Sequence, residues 1–169
     1  MKNKTQKIVI SALVAALACA ATLIIHIPSP LGGYINMGDC IVLVGGWLLG
    51  PVYGFLAAGI GSALADVFLG YFVYAPATFL IKGLVALLAC VLLKSLGKIK
   101  SKPLAYVISG VVAECVMVAG YYVFEGFMYG FAPSVVNIPP NVVQAVAGVV
   151  AGTILALIIE KTRISKWMK

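Results

Sequence analysis

Residues 39–71 read DCIVLVGGWLLGPVYGFLAAGIGSALADVFLGY, and the number of helices turns on how this run is divided. It is apolar almost throughout. As one helix it would extend about 50 Å at roughly 1.5 Å per residue. That is well past a hydrocarbon core of about 30 Å. Gly50-Pro51 supplies the natural break. Glycine ends helices, and proline cannot continue one but opens one readily. The run therefore divides into a short helix over 37–50 and a full span over 51–71.

Working outward, further apolar runs cover 8–27, 76–94, 103–127 and 140–161. The expectation is an all-α membrane protein of six transmembrane helices, forming a single membrane domain over 1–169. Composition agrees: 63% of residues are hydrophobic and 10% charged. Soluble domains run near half apolar and a quarter charged. Lys2, Lys4 and Lys7 precede the first run, and Ala16-Leu17-Ala18 would pass as a signal-peptide cleavage site. A run of about 20 residues is long enough to span a bilayer, which favours a retained helix.

The net charge is +7, and its distribution excludes a phosphate-binding surface. Apart from Lys82, every Lys and Arg lies near the N-terminus, in the 94–102 loop or near the C-terminus. The loops over 28–38, 71–76 and 128–139 carry none. The positive-inside rule then places both termini of this multi-pass protein in the cytoplasm. A five-span arrangement would put Lys94, Lys98, Lys100 and Lys102 outside.

Charge within a span costs about 2.5 to 3.5 kcal/mol on insertion scales, so Asp66, Lys82, Glu114 and Glu125 are candidate functional residues. Asp66 and Lys82 fall at one depth on consecutive helices, roughly 8 Å below the outer surface. They pair with each other, or Lys82 or the pair faces a ligand cavity, and both can hold together. Gly110, Glu114, Tyr121 and Glu125 share one face of the fifth helix, and Asn141, Gln144 and Gly148 one face of the sixth. Near the outer end lie Tyr34, Asn36, Asp39, Tyr71, Tyr74 and Tyr129. Tyr34 and Tyr129 fit an interfacial aromatic belt equally well. Polar groups reach mid-depth and stop, whereas a channel needs a polar path throughout. The pattern is a cup open to the outside, suited to a small, flat, polar ligand.

Other features carry less chemistry. Cys19, Cys40, Cys90 and Cys115 lack metal-ligand spacing and read as small buried hydrophobes. His26, the lone histidine, reads as structural. No metal site or catalytic group is expected. No G-x-x-x-x-G-K-[ST] occurs, and Gly59-Ile60-Gly61-Ser62-Ala63 is not a G-x-S-x-G elbow. Small-residue ladders occur at Ala12, Ala16 and Ala20, at Gly54, Ala58 and Ser62, and at Gly148 and Gly152. The last two ladders read as bundle packing. The first also suits docking against a partner's helix.

Four segments taken together resemble a known family: Tyr34-Ile35-Asn36-Met37-Gly38-Asp39, Leu49-Gly50-Pro51, Gly59 to Asp66, and Tyr74 to Gly83. The sequence is similar to the substrate-binding S components of energy-coupling factor (ECF) vitamin transporters, in the hydroxymethylpyrimidine and pyridoxine-like branch related to riboflavin carriers. The resemblance implies a multi-pass subunit of the bacterial plasma membrane that captures a vitamin or precursor from outside and partners a membrane coupling protein and two cytoplasmic ATPases. ATP would be bound by those partners, with no cofactor on this chain. It assigns Ala12 and Ala16 to an A-x-x-x-A docking motif, extended by Ala20. Expected ligand contacts are Asn36, Asp39, Tyr74, Lys82, Glu114, Tyr121, Asn141 and Gln144. A riboflavin-specific carrier is the near alternative. An intramembrane enzyme using Asp66, Glu114 and Glu125 is the distant one, although those carboxylates are expected at three different depths. A scaffold or self-contained channel is the third.

Overall fold

A computed structural model describes residues 4–162. The terminal charges Lys2, Arg163, Lys166 and Lys169 lie outside the described residues. The elements are α1 (Lys4–Ile24), β1 (His26–Pro28), β2 (Tyr34–Asn36), α2 (Gly38–Leu49), α3 (Pro51–Phe68), α4 (Ala75–Ser95), α5 (Lys102–Tyr129), the short α6 (Phe131–Ser134), a 3-10 turn (Val135–Asn137) and α7 (Ile138–Lys161). Among the described residues, α1, α3, α4, α5 and the stretch Phe131–Lys161 are long and apolar enough to cross a membrane. Helix α2 has 12 residues and is shorter.

The break at Gly50 forms as expected. Gly50 has φ +86°, which a side chain would strain, and Pro51 opens α3. Several expectations need correction, and α3 ends at Phe68 rather than 71. Helix α1 stops at Ile24 rather than 27. The following residues leave the helix because His26–Pro28 pairs antiparallel with Tyr34–Asn36, His26 opposite Asn36 and Pro28 opposite Tyr34. Pro28 and Pro30 cannot donate to a helical ladder. Gly32 and Gly33 take positive φ to turn the chain, so a hairpin replaces the expected loop. His26 closes α1: its Nδ1 bonds the Leu23 carbonyl at 2.9 Å. The expected 128–139 loop likewise contains α6 and the 3-10 turn, and α7 begins at Ile138 rather than 140.

Helix α2 sits at the centre, packed on α1, α3, α4 and α7. Val42, Leu43, Val44, Trp47 and Leu49 are all buried, which is why α2 is apolar on every face. The longer helices instead carry an outward apolar face, with Ile8, Leu13, Val52, Leu80, Val111 and Val146 exposed where lipid would lie. Cys115 is also exposed, against its reading as buried, whereas Cys19 and Cys90 are buried and Cys40 is half-buried.

Glycine lets these helices touch backbone to backbone. A Cβ on Gly46 would meet the Ala86 carbonyl oxygen at 2.2 Å, and one on Gly61 the Ala15 carbonyl oxygen at 2.3 Å. The expected ladders behave accordingly. Gly54 and Gly148 with Gly152 pack against α2, while Ala12, Ala16 and Ala20 stay exposed along α1. Substituting Gly46→Val is expected to lower the melting temperature of the detergent-solubilised protein, at a cost of about 1–3 kcal/mol from overpacking. Wild-type stability for this variant would show that the α2–α4 approach is loose.

Candidate functional site

The floor of the site is an ion pair. Asp39 stands in the first turn of α2, where a carboxylate suits the helix N-terminus. Lys82 reaches it from α4, and its Nζ donates to Asp39 Oδ1. Both residues are buried, Asp39 at 0% and Lys82 at 1% exposure. Gly148 lets α7 approach, since a Cβ there would lie 2.8 Å from Asp39 Cβ. One turn away, Gln144 Nε2 donates to Asp39 Oδ2 at 2.6 Å. Gln144 Oε1 accepts from the Asn36 backbone N–H at 2.6 Å. Asn36 Oδ1 in turn accepts from the Gly38 N–H at 2.9 Å. A continuous hydrogen-bonded chain thus runs from the hairpin to the ion pair.

Asp66 is therefore not the partner of Lys82. It instead accepts a hydrogen bond from the Tyr34 hydroxyl on the hairpin. Helix packing decided this: α2 brings Asp39 to Lys82, a contact across 43 positions of sequence.

Above the floor, a cup is lined from every side. The hairpin contributes Ser29, Gly33, Tyr34 and Asn36, and α1 contributes Thr22. Ser62 and Asp66 come from α3, Thr78 and Lys82 from α4, and Tyr121 and Glu125 from α5. Each of those pairs is four residues apart and so shares a helix face. Tyr74 and Asn141 complete the wall. Thr78 and Tyr121 share a hydrogen bond of 3.0 Å, and Lys82 Nζ lies 5.4 Å from the Tyr121 ring centroid. Tyr34 packs on Tyr71 at 5.0 Å, and Tyr71 on Tyr74 at 6.0 Å between centroids, an aromatic rim. The space left inside is about 20 Å³. That holds about one water molecule.

The expected contacts divide into three groups. Asn36, Tyr74, Lys82, Tyr121 and Asn141 line the cup. Asp39 and Gln144 stand behind it in the hydrogen-bonded floor. Glu114 does neither: it is buried, 1% exposed, at the inner side of a groove of about 510 Å³ between α5 and α7, and neither carboxyl oxygen makes a hydrogen bond. Its seven-residue offset from Tyr121 sets it about 10 Å deeper along α5, outside the cup lining but within electrostatic reach of the Lys82–Asp39 pair. Asp66 and Glu125, expected at different depths, meet in the one cup. Thr22, Ser29, Gly33, Ser62 and Thr78 escaped the sequence reading. The four-residue spacings Ser62 to Asp66 and Thr78 to Lys82 were the available signal for two of them. Tyr34, weighed as belt or recognition group, lies in the cup. Tyr129 is more exposed, with its hydroxyl 3.5 Å from that of Tyr74. A second groove, about 660 Å³, runs between α1 and α3 and is floored by Ala12, Ala16 and Ala20 among others.

Comparison with known proteins identifies the architecture. Residues 2–161 match the family model described as ECF-type riboflavin transporter, S component. The chain belongs to this family. An uncharacterised protein of Pyrococcus woesei is 36% identical over 141 residues, covering 83% of this chain and 92% of its own. The thiamine precursor transporter HmpT of Lactococcus lactis subsp. cremoris is 28% identical over 138 residues, covering 82% of this chain and 76% of its own. A solved S component of a bacterial ECF transporter superposes with TM-score 0.67 over 99% of each chain at 20% identity, which speaks for the fold. The S component is thus a multi-pass membrane protein and the substrate-binding subunit of a transporter, not an enzyme. The enzyme reading of Asp66, Glu114 and Glu125 is set aside accordingly.

Removing Lys82 would strand Asp39 as an uncompensated buried charge. Lys82→Met is expected to destabilise the S component by about 3–5 kcal/mol. Lys82→Met combined with Asp39→Asn should recover much of that loss. Thermal unfolding in detergent measures both, and equal melting temperatures for the single and double variants would deny the pairing its structural weight.

Proposed function

We propose that this S component captures a vitamin precursor from the outer side of the membrane, with a hydroxymethylpyrimidine or pyridoxine-type heterocycle as ligand. The observation that carries this reading is the cup. It is polar and aromatic at the hairpin end of the bundle and ends on the Lys82–Asp39 pair, with the apolar residues Val85, Ala86 and Ala89 of α4 beyond it. The similarity to a thiamine precursor transporter supports the ligand class. A riboflavin ligand is the second reading, favoured by the description of the matched family. Asn36, Tyr74, Lys82, Tyr121 and Asn141 are the proposed direct contacts. Asp39 and Gln144 hold Lys82 and Asn36 in position.

Free space for one water admits neither ligand, so capture requires the cup to open. The hairpin is the part able to move. His26, Ile27 and Pro28 are exposed, and its ties to the bundle are side-chain hydrogen bonds, from Tyr34 to Asp66, from Asn36 to Gln144 and Thr22, and between the Leu31–Gly32 turn and Asn137. Outward movement of Tyr34 would free the aromatic rim for stacking and the carboxylate of Asp66 for the ligand.

The proposed arrangement has six spans, with α2 crossing at the centre, and both chain ends in the cytoplasm. The charges at Lys94, Lys98, Lys100 and Lys102 on one side, and none in the loops of the other, support it. Family membership implies association with a coupling protein and ATPase subunits. The exposed Ala12, Ala16 and Ala20 face of α1 is the proposed docking surface for the coupling protein.

Mass spectrometry of ligand released from the purified, denatured protein tests the reading. One heterocycle of this class at near one-to-one stoichiometry is expected. A protein that retains none, and binds none on titration, would refute it. Ala16→Leu should block assembly with the coupling protein in co-purification while leaving ligand affinity unchanged. Unimpaired assembly would move the docking surface elsewhere.

A further inference from the structure

The Lys82–Asp39 pair neutralises itself, and this leaves the rest of the cup with an excess of acid. Asp66 and Glu125 both line the cup and are each 3% exposed. Each has one occupied and one empty oxygen. Asp66 Oδ1 accepts from Tyr34, while Oδ2 has no hydrogen-bond partner. Glu125 Oε1 lies 3.5 Å from the Tyr74 hydroxyl, while Oε2 has none. A buried acceptor left without a donor is costly, so such groups ask for a partner. The tyrosines that hold the occupied oxygens belong to the aromatic rim. Carboxylates set behind aromatic faces are the arrangement that recognises cationic and N–H-bearing groups.

We infer that Asp66 and Glu125 are specificity-determining residues that accept hydrogen bonds from amino or protonated ring nitrogens of the ligand. This rests on the capture reading above and narrows it. The ligand is a donor-rich, neutral or cationic amino-heterocycle. Rings that present only carbonyls fail to satisfy the two oxygens. Phosphorylated or carboxylated ligands meet repulsion from both residues, with the one cation in the wall already paired. Ser62 Oγ, also unpartnered on the same wall, extends the polar face between α3 and the ligand.

The test is isothermal titration of the full-length detergent-solubilised protein with three probes. They are an aminopyrimidine carrying a hydroxymethyl group, its counterpart with a ring carbonyl in place of the amino group, and the phosphate ester of the first. The aminopyrimidine should bind about tenfold or more tightly than the carbonyl ring, with the ester weakest. Asp66→Asn and Glu125→Gln should each weaken aminopyrimidine binding about tenfold and shrink the amino-to-carbonyl ratio. A purely structural role would weaken both ligands alike and leave that ratio unchanged, which overturns the inference. Should either variant fail to fold, the wild-type selectivity decides alone: equal affinity for amino and carbonyl rings or preference for the ester would each overturn it while leaving the capture reading intact, and binding of riboflavin but not the aminopyrimidine would overturn it and move capture to the second reading. No binding of any heterocycle would remove both together.

Discussion

A lysine and an aspartate buried in a membrane bundle organise what surrounds them. Taking either charge out of water alone is prohibitive, and in hydrocarbon no solvent repairs the loss. Their mutual contact therefore fixes the relation of α2 to α4 near the cup. Gln144 extends the constraint to α7 and, through Asn36, to the hairpin. One interaction thus specifies where four elements meet. Because the pair is internally neutral, it supplies a rigid floor without a strong field of its own.

The floor exists because α2 is short, central and apolar. Trp47 shows how completely it is enclosed: its indole N–H donates to Ser109 Oγ at 3.1 Å, across the bundle on α5. Close approach at Gly46 and Gly148 brings α4 and α7 near enough for Lys82 and Gln144 to reach Asp39. With a side chain at either glycine, those reaches would lengthen. In lipid, packing of this kind replaces the hydrophobic drive between helices, so small residues and polar contacts carry the specificity.

The cup above the floor has room for about one water molecule. Tyr34 occupies the acceptor of Asp66 and part of the volume, and the hairpin that carries it is also held by Gln144 and Asn137. In the proposed reading, the same groups hold this arrangement and receive the ligand. A guest with suitable donors would replace the tyrosine contact rather than add to it, so hairpin position and ligand chemistry are linked through Asp66.

The sequence by itself determined the membrane class, the break at Gly50-Pro51, the helical runs and the gathering of polar groups toward one end. Each follows from local rules: apolar length, glycine and proline backbone limits, and the cost of charge in lipid. Family membership, too, was legible in the segments from Tyr34 to Gly83. What tertiary structure decided was partnership. Equal depth on adjacent helices suggested Asp66 with Lys82, yet depth says nothing of rotation about the helix axis, and Asp39 from a distant turn took the lysine. The hairpin needed pairing between His26–Pro28 and Tyr34–Asn36, two segments too short to announce themselves. Glu114 and Glu125 share a helical face in one dimension, but only the packing of the neighbouring helices buries one outside the cup and sets the other in its wall. Periodicity fixes which residues lie on the same side of a helix; which neighbour that side meets is set by the whole bundle.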